Sequence, residues 1–355
     1  MDFDLSEEQK AIGEAIGELL QDKFPVSTAL KAFDAASIDA DLWGELMSLG
    51  LGSVMLSEGS GGLGLDLLTL VVVAESLARF AVPAPVCQNA LACWILERGG
   101  TPAQRTRWCD ALAKGTSTVA FAIHEPGRGW FPEDWAVDSG EPGVKGCVEW
   151  GLQADLLIVG LSGGRLGLIE RTAAGVRVQP LDSLDRARPL CDVQFDASCR
   201  FDELAGNDLA ARVVDALLIL YSADALGAGA QALDMAVQYA KQRIQFGQPI
   251  GQFQAVKHQL ANLSLEIEPC RPLAWYAAHA WDTGRPDSTR IAAMLKAHVT
   301  DVAVKTARMT VELHGGIGYT WEYPLHLFLK RAMASHVAMG LPAAHRDRAA
   351  ALASW

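Results

Sequence analysis

The pattern of apolar residues changes twice along this chain, and each change marks a different kind of secondary structure. Apolar positions recur at helical spacing up to about residue 116, as at Ile12 and Ile16. Short β-rich runs separated by Gly, Pro and Asp follow, and long Ala-rich apolar segments then return. This order predicts a multi-domain α+β fold, in which helical domains precede and follow a small β-barrel or sandwich.

The predicted boundaries give an N-terminal α-helical domain at residues 1–116, a middle β domain at 117–205 and a C-terminal helical domain at 206–355. A chain of 355 residues is long enough to form more than one hydrophobic core. The C-terminal segments are apolar on more than one face, which is typical of a four-helix bundle or a subunit interface.

Composition excludes several classes of function. The net charge of −12 argues against binding to nucleic acid or to an anionic membrane. The seven cysteines are scattered without a CxxC motif, which favours buried free thiols over disulfides or a zinc site. The opening segment, MDFDLSEEQK, is acidic and has no apolar core, so we expect no signal peptide and a cytoplasmic protein.

Residues 241–258 read KQRIQFGQPIGQFQAVKH and follow the longest Ala-rich segment. One interpretation is a helix C-terminus, in which Lys241 and Arg243 in the last turn complement the helix dipole and Gly247 ends the helix. The other is an anion site, in which Arg243 pairs with a phosphate and Phe246 covers a flat ring.

Residues 311–320 read VELHGGIGYT and also allow two interpretations. The paired glycines either end a helix or allow the backbone to approach a ligand at a place where a Cβ would clash. In this order on an α–β–α chain, the two motifs resemble the acyl-CoA dehydrogenase family. The matching patterns are RxxFGxxxxxxQ and [Q/E]xxGGxGY/F, carried by Arg243, Phe246, Gly247, Gln254, Glu312, Gly315, Gly316, Gly318 and Tyr319.

The resemblance implies an FAD that is shared between subunits. Arg243 and Gln245 would hold the pyrophosphate of the neighbouring subunit's FAD. Phe253 and Gln254 would lie beside that FAD, and the Glu312–Gly316 backbone would line it. Glu312 stands where the family commonly has Gln, and its carboxylate would repel a pyrophosphate unless it is turned away or paired. The candidate cofactor-binding residues are therefore Arg243, Gln245, Phe246, Phe253, Gln254, Glu312, Gly315 and Gly316.

The family's reaction needs a carboxylate base, and the resemblance implies two places for it. A glutamate removes the α-proton of an acyl-CoA thioester while a hydride passes to the flavin. In this chain the two places hold Met339 and Leu217, which cannot accept a proton at neutral pH. No catalytic residue is therefore predicted in this chain.

Other ionisable residues lie near these two places. Asp215 and Asp224 are out of register with Leu217, which favours solvated or helix-packing roles. Glu322 matches a structural position of the family. His336 is predicted to share a helix face with Met339 and is interpreted as a surface or interface histidine.

The motifs that hold the flavin ring in the family have changed. Residues 124–130 read HEPGRGW where the family usually has TEPxxGS, and KGCVEWGLQADLLIVG replaces the segment with WI[TS]N. Hydroxyl groups that bond the flavin are missing, and Trp130 is bulky where the family keeps a small residue. This chain is therefore not expected to form a complete flavin site.

Three hypotheses follow. The first is a non-catalytic, β-type subunit of an α2β2 acyl-CoA dehydrogenase, whose paralogous partner brings the glutamate. By analogy its substrate is an acyl-CoA, such as a bulky steroid side-chain CoA thioester, and its electron acceptor is electron-transferring flavoprotein. The second is an active homo-oligomeric dehydrogenase with Asp224 or His336 as the base. The third is a non-enzymatic structural or acyl-CoA-binding module.

Overall fold

The N-terminal third is helical in the computed structural model, which describes residues 4–33 and 37–353. The first helix begins at a capping box, in which the Ser6 hydroxyl accepts from the Gln9 N–H and the Gln9 side chain accepts from the Ser6 N–H. The helices are α1 (Glu7–Lys23), α2 (Val26–Ala32), α3 (Ala40–Ser48), α4 (Leu67–Arg79), α5 (Val86–Gly99) and α6 (Pro102–Ala113).

The middle of the chain forms two sheets that share a hydrophobic core. One has four strands and the other has three. Val159, Leu161, Val193 and Phe195 are among the buried core residues that the sheets contribute. The strands are β1 (Val119–Ala122), β2 (Gly143–Glu149), β3 (Leu156–Leu161), β4 (Arg165–Glu170), β5 (Val176–Leu181), β6 (Leu190–Phe195) and β7 (Asp202–Glu203). The four-stranded sheet has the order β1-β3-β4-β7, and the three-stranded sheet has the order β2-β6-β5.

The last part of the chain is helical again, apart from one short hairpin. The elements are α7 (Leu209–Gln242), β8 (Ile244–Gln245), β9 (Gln248–Pro249), α8 (Gln254–Ile267), α9 (Cys270–Asp282), α10 (Ser288–His314), α11 (Leu325–Val337) and α12 (Pro342–Ala351). The order of helices, strands and helices confirms the predicted fold class.

By its internal contacts the chain forms two compact units. One comprises Met1–Phe33, Val71–Val82 and Leu218–Trp355, and the other comprises Asp34–Leu70 and Pro83–Leu217. The domain boundaries at residues 116 and 205 stay predictions. Within residues 4–33 and 37–353, no helix combines the length and the apolar character that crossing a membrane requires.

The cysteines are free, as the sequence predicted, but they are not all buried. Cys147 is exposed and Cys87 is partly exposed. Cys147 has a positive φ of 53° in β2, next to the point where the pairing register with β6 shifts. This bulge turns the residue out of the core.

A buried lysine holds the turn between α11 and α12. The Lys296 side-chain nitrogen in α10 donates to the carbonyls of His336, at 3.0 Å, and of Gly340, at 3.2 Å. The His345 ring in α12 bonds through Nε2 to the Met339 carbonyl at 2.9 Å. Burial lowers the pKa of Lys296 to about 7 and that of His345 to about 4. The turn is therefore held by groups that the fold favours in their neutral forms.

Replacing Lys296 with Met is expected to remove part of the pH dependence of stability. The pKa of Lys296 is about 7 in the fold against an ordinary 10.5, so the unfolded chain binds more protons between these values. The free energy of unfolding therefore rises with pH there, by up to about 1.4 kcal/mol per unit. Urea unfolding near pH 7.5 and near pH 9.5 measures this change. Between these two pH values, the free energy of unfolding of Lys296→Met should rise by about 2 kcal/mol less than that of the wild type.

The control is Lys305→Met, which changes an exposed lysine on the same helix that pairs with Glu266. This variant should keep the wild-type rise in unfolding free energy. An equal rise in wild type and Lys296→Met would contradict the account of Lys296.

Candidate functional site

The first motif lies on a hairpin rather than in a helix end. Helix α7 ends at Gln242, so Arg243 follows the helix instead of lying in its last turn. Gln245 pairs with Gln248, and the residues between them, Phe246 and Gly247, have φ values of 51° and 81°. Two left-handed residues form the tight turn typical of a two-residue hairpin. The helix-stop interpretation of Gly247 was therefore wrong.

The side chains of this hairpin face solvent in the single chain. Arg243 and Gln245 are exposed, and Phe246 is 93% exposed. No carboxylate among the described residues pairs with the Arg243 guanidinium. Phe246 contacts Phe253 edge-on, with ring centroids 6.2 Å apart. The hairpin thus presents an unpaired cation beside an open aromatic surface.

Helix α8 begins directly after this aromatic pair. Gln254 is its first residue and is exposed, while Phe253 precedes it and provides no side-chain cap. The first N–H groups of a helix carry partial positive charge and attract anions. This helix start therefore adds to the positive character of the hairpin.

The second motif forms an open turn at the end of α10. Gly315 has a φ of 62°, which favours glycine, and its N–H donates to the Glu312 carbonyl. A Cβ added to Gly315 or Gly316 would meet nothing within 4 Å, whereas one on Gly318 would lie 2.6 Å from the Val311 carbonyl oxygen. Of these three glycines, only Gly318 is therefore required by close packing within the chain. The first two leave backbone accessible, and Glu312 is exposed beside them.

An aromatic stack brings the two motifs together. The Tyr239 ring, one turn before Arg243, stacks on the His314 ring with centroids 4.4 Å apart. His314 immediately precedes Gly315 and also bonds through Nε2 to the Tyr323 hydroxyl at 3.2 Å. Tyr239, His314 and Tyr323 were not predicted as site residues. The aromatic residues that flank both motifs were the available signal.

The residues at the two predicted base positions are buried and apolar. Leu217 is 6% exposed and Met339 is 1% exposed. Met339 has a φ of 61° and lies after the last residue of α11, Val337. The prediction that His336 shares a helix face with Met339 was therefore wrong. The His336 ring instead bonds to the Asp301 carboxylate at 3.0 Å.

Asp224 is a buried structural acid. Its Oδ1 accepts from Nε and Nη2 of Arg331, at 2.9 and 2.7 Å, and its Oδ2 accepts from the Ser335 hydroxyl at 2.6 Å. Arg331 also donates to the Val82 carbonyl at 2.9 Å. Of the two predicted roles, helix packing is therefore right and solvation is wrong. A carboxylate held by this many donors is a poor proton acceptor.

The altered segment of the β domain is filled by its own side chains. The His124 and Trp130 rings stack with centroids 4.2 Å apart. Burial lowers the pKa of His124. Buried Glu125 accepts from Lys145 at 2.6 Å. Burial alone would raise the pKa of Glu125, but Lys145 and backbone N–H groups outweigh it and lower the value. At the end of β2, the Glu149 carboxylate lies 3.8 Å from the Arg188 guanidinium.

Comparisons with known proteins agree with the observed fold. The family model described as acyl-CoA dehydrogenase, C-terminal domain, matches residues 210–352, and the acyl-CoA dehydrogenase, N-terminal domain, matches residues 6–116. The chain is 30% identical to acyl-CoA dehydrogenase IpdE2 of Mycobacterium tuberculosis over 332 residues, which cover 93% of this chain and 92% of IpdE2.

Two solved structures show the same architecture over the full length. A variant of the Tcur3481–Tcur3483 steroid ACAD is 29% identical with a TM-score of 0.90, and the match covers 98% of this chain and 97% of that one. A chain in the structure of the electron transferring flavoprotein of Acidaminococcus fermentans is 26% identical with a TM-score of 0.88, covering 100% of each chain.

Replacing Asp224 with Asn is expected to destabilise the fold strongly. The Arg331 guanidinium is then left buried without its counter-charge, which costs about 3 kcal/mol or more. Asp234→Asn is the control, because it breaks an exposed pair with Arg79 and should cost less than about 1 kcal/mol. Denaturant unfolding measures both. Unchanged stability in Asp224→Asn, with lost dehydrogenation, would make Asp224 a base instead.

Proposed function

The chain belongs to the acyl-CoA dehydrogenase family of oxidoreductases, and we propose that it is the non-catalytic subunit of a heteromeric, FAD-dependent member. One observation carries the proposal: the surface that resembles the family's cofactor contact is open, while both places for the base hold buried apolar side chains. In this reading the subunit completes a site whose proton chemistry belongs to a partner.

The lack of a base rests on the residues at positions 217 and 339. Neither Leu217 nor Met339 can take a proton from the α-carbon of a thioester. Two replacement bases are weak candidates. Asp224 is occupied by Arg331 and Ser335, and the His336 ring is bonded to Asp301. The partner subunit therefore supplies the glutamate.

The exposed residues of the first motif fit an FAD that is shared with this partner. Arg243 offers a guanidinium without a counter-ion, as a pyrophosphate requires, and Gln245 lies beside it on the hairpin. Phe246, Phe253 and Gln254 provide the adjoining aromatic and polar surface. Phe246 is 93% exposed and contacts Phe253, so the two rings form an open aromatic surface that a partner or a cofactor is expected to cover.

The second motif contributes accessible backbone to the same FAD. Gly315 and Gly316 are exposed, and a Cβ added to either would have open space around it. Glu312 is exposed there, and its side chain has room to turn away from a pyrophosphate. When bound, FAD supplies the redox chemistry of the reaction. This chain's residues would bind and orient it.

The flavin ring of this shared site is assigned to the partner. In this chain, His124 and Trp130 stack on each other in the segment where the family holds the ring with hydroxyl groups. The contact between these two rings, and the lack of the family's hydroxyl groups there, support this assignment. The proposal therefore expects fewer flavin sites than chains in the α2β2 assembly.

The substrate and the electron acceptor follow by analogy. The similar steroid ACAD supports a steroid side-chain CoA thioester as the acyl-CoA substrate. The similar chain from the electron transferring flavoprotein structure supports that class of protein as the acceptor. We place the complex in the cytoplasm.

Replacing Arg243 with Ala in the co-purified complex should weaken FAD binding at least about tenfold. The reason is loss of a charge-assisted contact to the pyrophosphate. Lys257→Ala, which removes another exposed cation close by in α8, is the control and should leave the dissociation constant within about twofold. Flavin fluorescence during dialysis measures both constants. Tight FAD binding in Arg243→Ala would refute the shared site.

A further inference from the structure

His314 is a buried ring held on three sides. It is 3% exposed, and its Nδ1 lies 2.7 Å from the Thr310 carbonyl oxygen. Its Nε2 lies 3.2 Å from the Tyr323 hydroxyl. The Tyr239 ring covers one face at a centroid distance of 4.4 Å and an angle of 25°. This arrangement leaves the imidazole one position and one orientation.

These contacts also determine the tautomer of His314. A carbonyl oxygen only accepts, so Nδ1 carries the proton and donates to Thr310. Nε2 is then the acceptor, and the Tyr323 hydroxyl donates to it. Burial lowers the pKa of His314, which favours this neutral form. Tyr323 therefore orients the His314 ring through one hydrogen bond.

The stack connects the backbones of the two motifs. The Arg243 N–H donates to the Tyr239 carbonyl at 2.8 Å, and the Ile250 N–H donates to the Arg243 carbonyl at 2.8 Å. On the other side, a Cβ on Gly318 would lie 3.0 Å from the His314 Cβ, so the glycine turn packs directly on this residue. The His314 ring therefore lies between the Arg243 hairpin and the glycine turn.

We propose that His314 is a positioning residue that sets the spacing between Arg243 and the Gly315–Gly316 backbone, with Tyr239 and Tyr323 fixing its ring. The inference rests on the proposed function, because both segments are assigned to one FAD. His314 is buried, so it acts through these segments and not on the ligand itself. A dinucleotide that is bound at two points needs both binding segments at the correct separation, because a small displacement of either segment breaks one contact.

The test uses Tyr323→Phe in the co-purified complex, with FAD as the probe. This variant keeps all three rings and removes the hydroxyl that orients His314. FAD binding is expected to weaken about three- to tenfold. Hydrogen exchange of the backbone amides in residues 315–319 should also become faster, because the glycine turn is no longer held in one position.

Tyr239→Leu is the second variant, since it removes the stacked ring and keeps both hydrogen bonds of His314. It should change FAD binding in the same direction. The control is Tyr276→Phe, which removes a tyrosine hydroxyl from α9, where Arg285 lies 5.9 Å from the ring. This control should leave both FAD binding and exchange at residues 315–319 unchanged.

The outcomes separate this inference from the proposed function. If Arg243→Ala weakens FAD binding but Tyr323→Phe and Tyr239→Leu do not, the positioning role is refuted and the shared site stands. A lower unfolding temperature with unchanged FAD affinity in Tyr323→Phe also refutes it, because the stack is then only structural. If Arg243→Ala binds FAD as wild type does, both proposals fail.

Discussion

The buried ion pair between Arg331 and Asp224 is the interaction on which the C-terminal helices depend. It joins α11 to α7, and the same guanidinium reaches the Val82 carbonyl. A buried guanidinium that loses its partner is costly, so this pair restricts how α11 can rotate. The turn after α11 is consequently fixed, and Lys296 holds it from α10. The backbone around Met339 is thus kept in place although its side chain has no proton chemistry.

The same helices are joined to a surface that is open to solvent in the single chain. Arg243 has no counter-ion among the described residues, Phe246 is 93% exposed, and the outer side of Gly315 is open. These groups lie beside the start of α8, which has no side-chain cap. Their combination with an apolar residue at each base position supports the proposed role, in which the chain completes a cofactor site for a partner.

The parts of this structure that follow local rules could be predicted from sequence. Periodicity and Gly/Pro punctuation are local, so the order of helices and strands was correct. The role of Gly247 was misjudged because it depends on the pairing of Gln245 with Gln248. The partner of Asp224 lies 107 residues away, and the stack on His314 joins separate helices. Contacts between residues so far apart in the sequence produce no periodic pattern from which they could be predicted.

The central claim is that this chain shares an FAD instead of holding its own. The direct measurement is the flavin-to-protein ratio of the chain, purified alone and together with a paralogous acyl-CoA dehydrogenase that carries the glutamate. The account predicts little flavin and no acyl-CoA oxidation for the chain alone, and an active complex with about one FAD for every two chains. A chain that purifies alone with about one FAD per chain and oxidises acyl-CoA would contradict it.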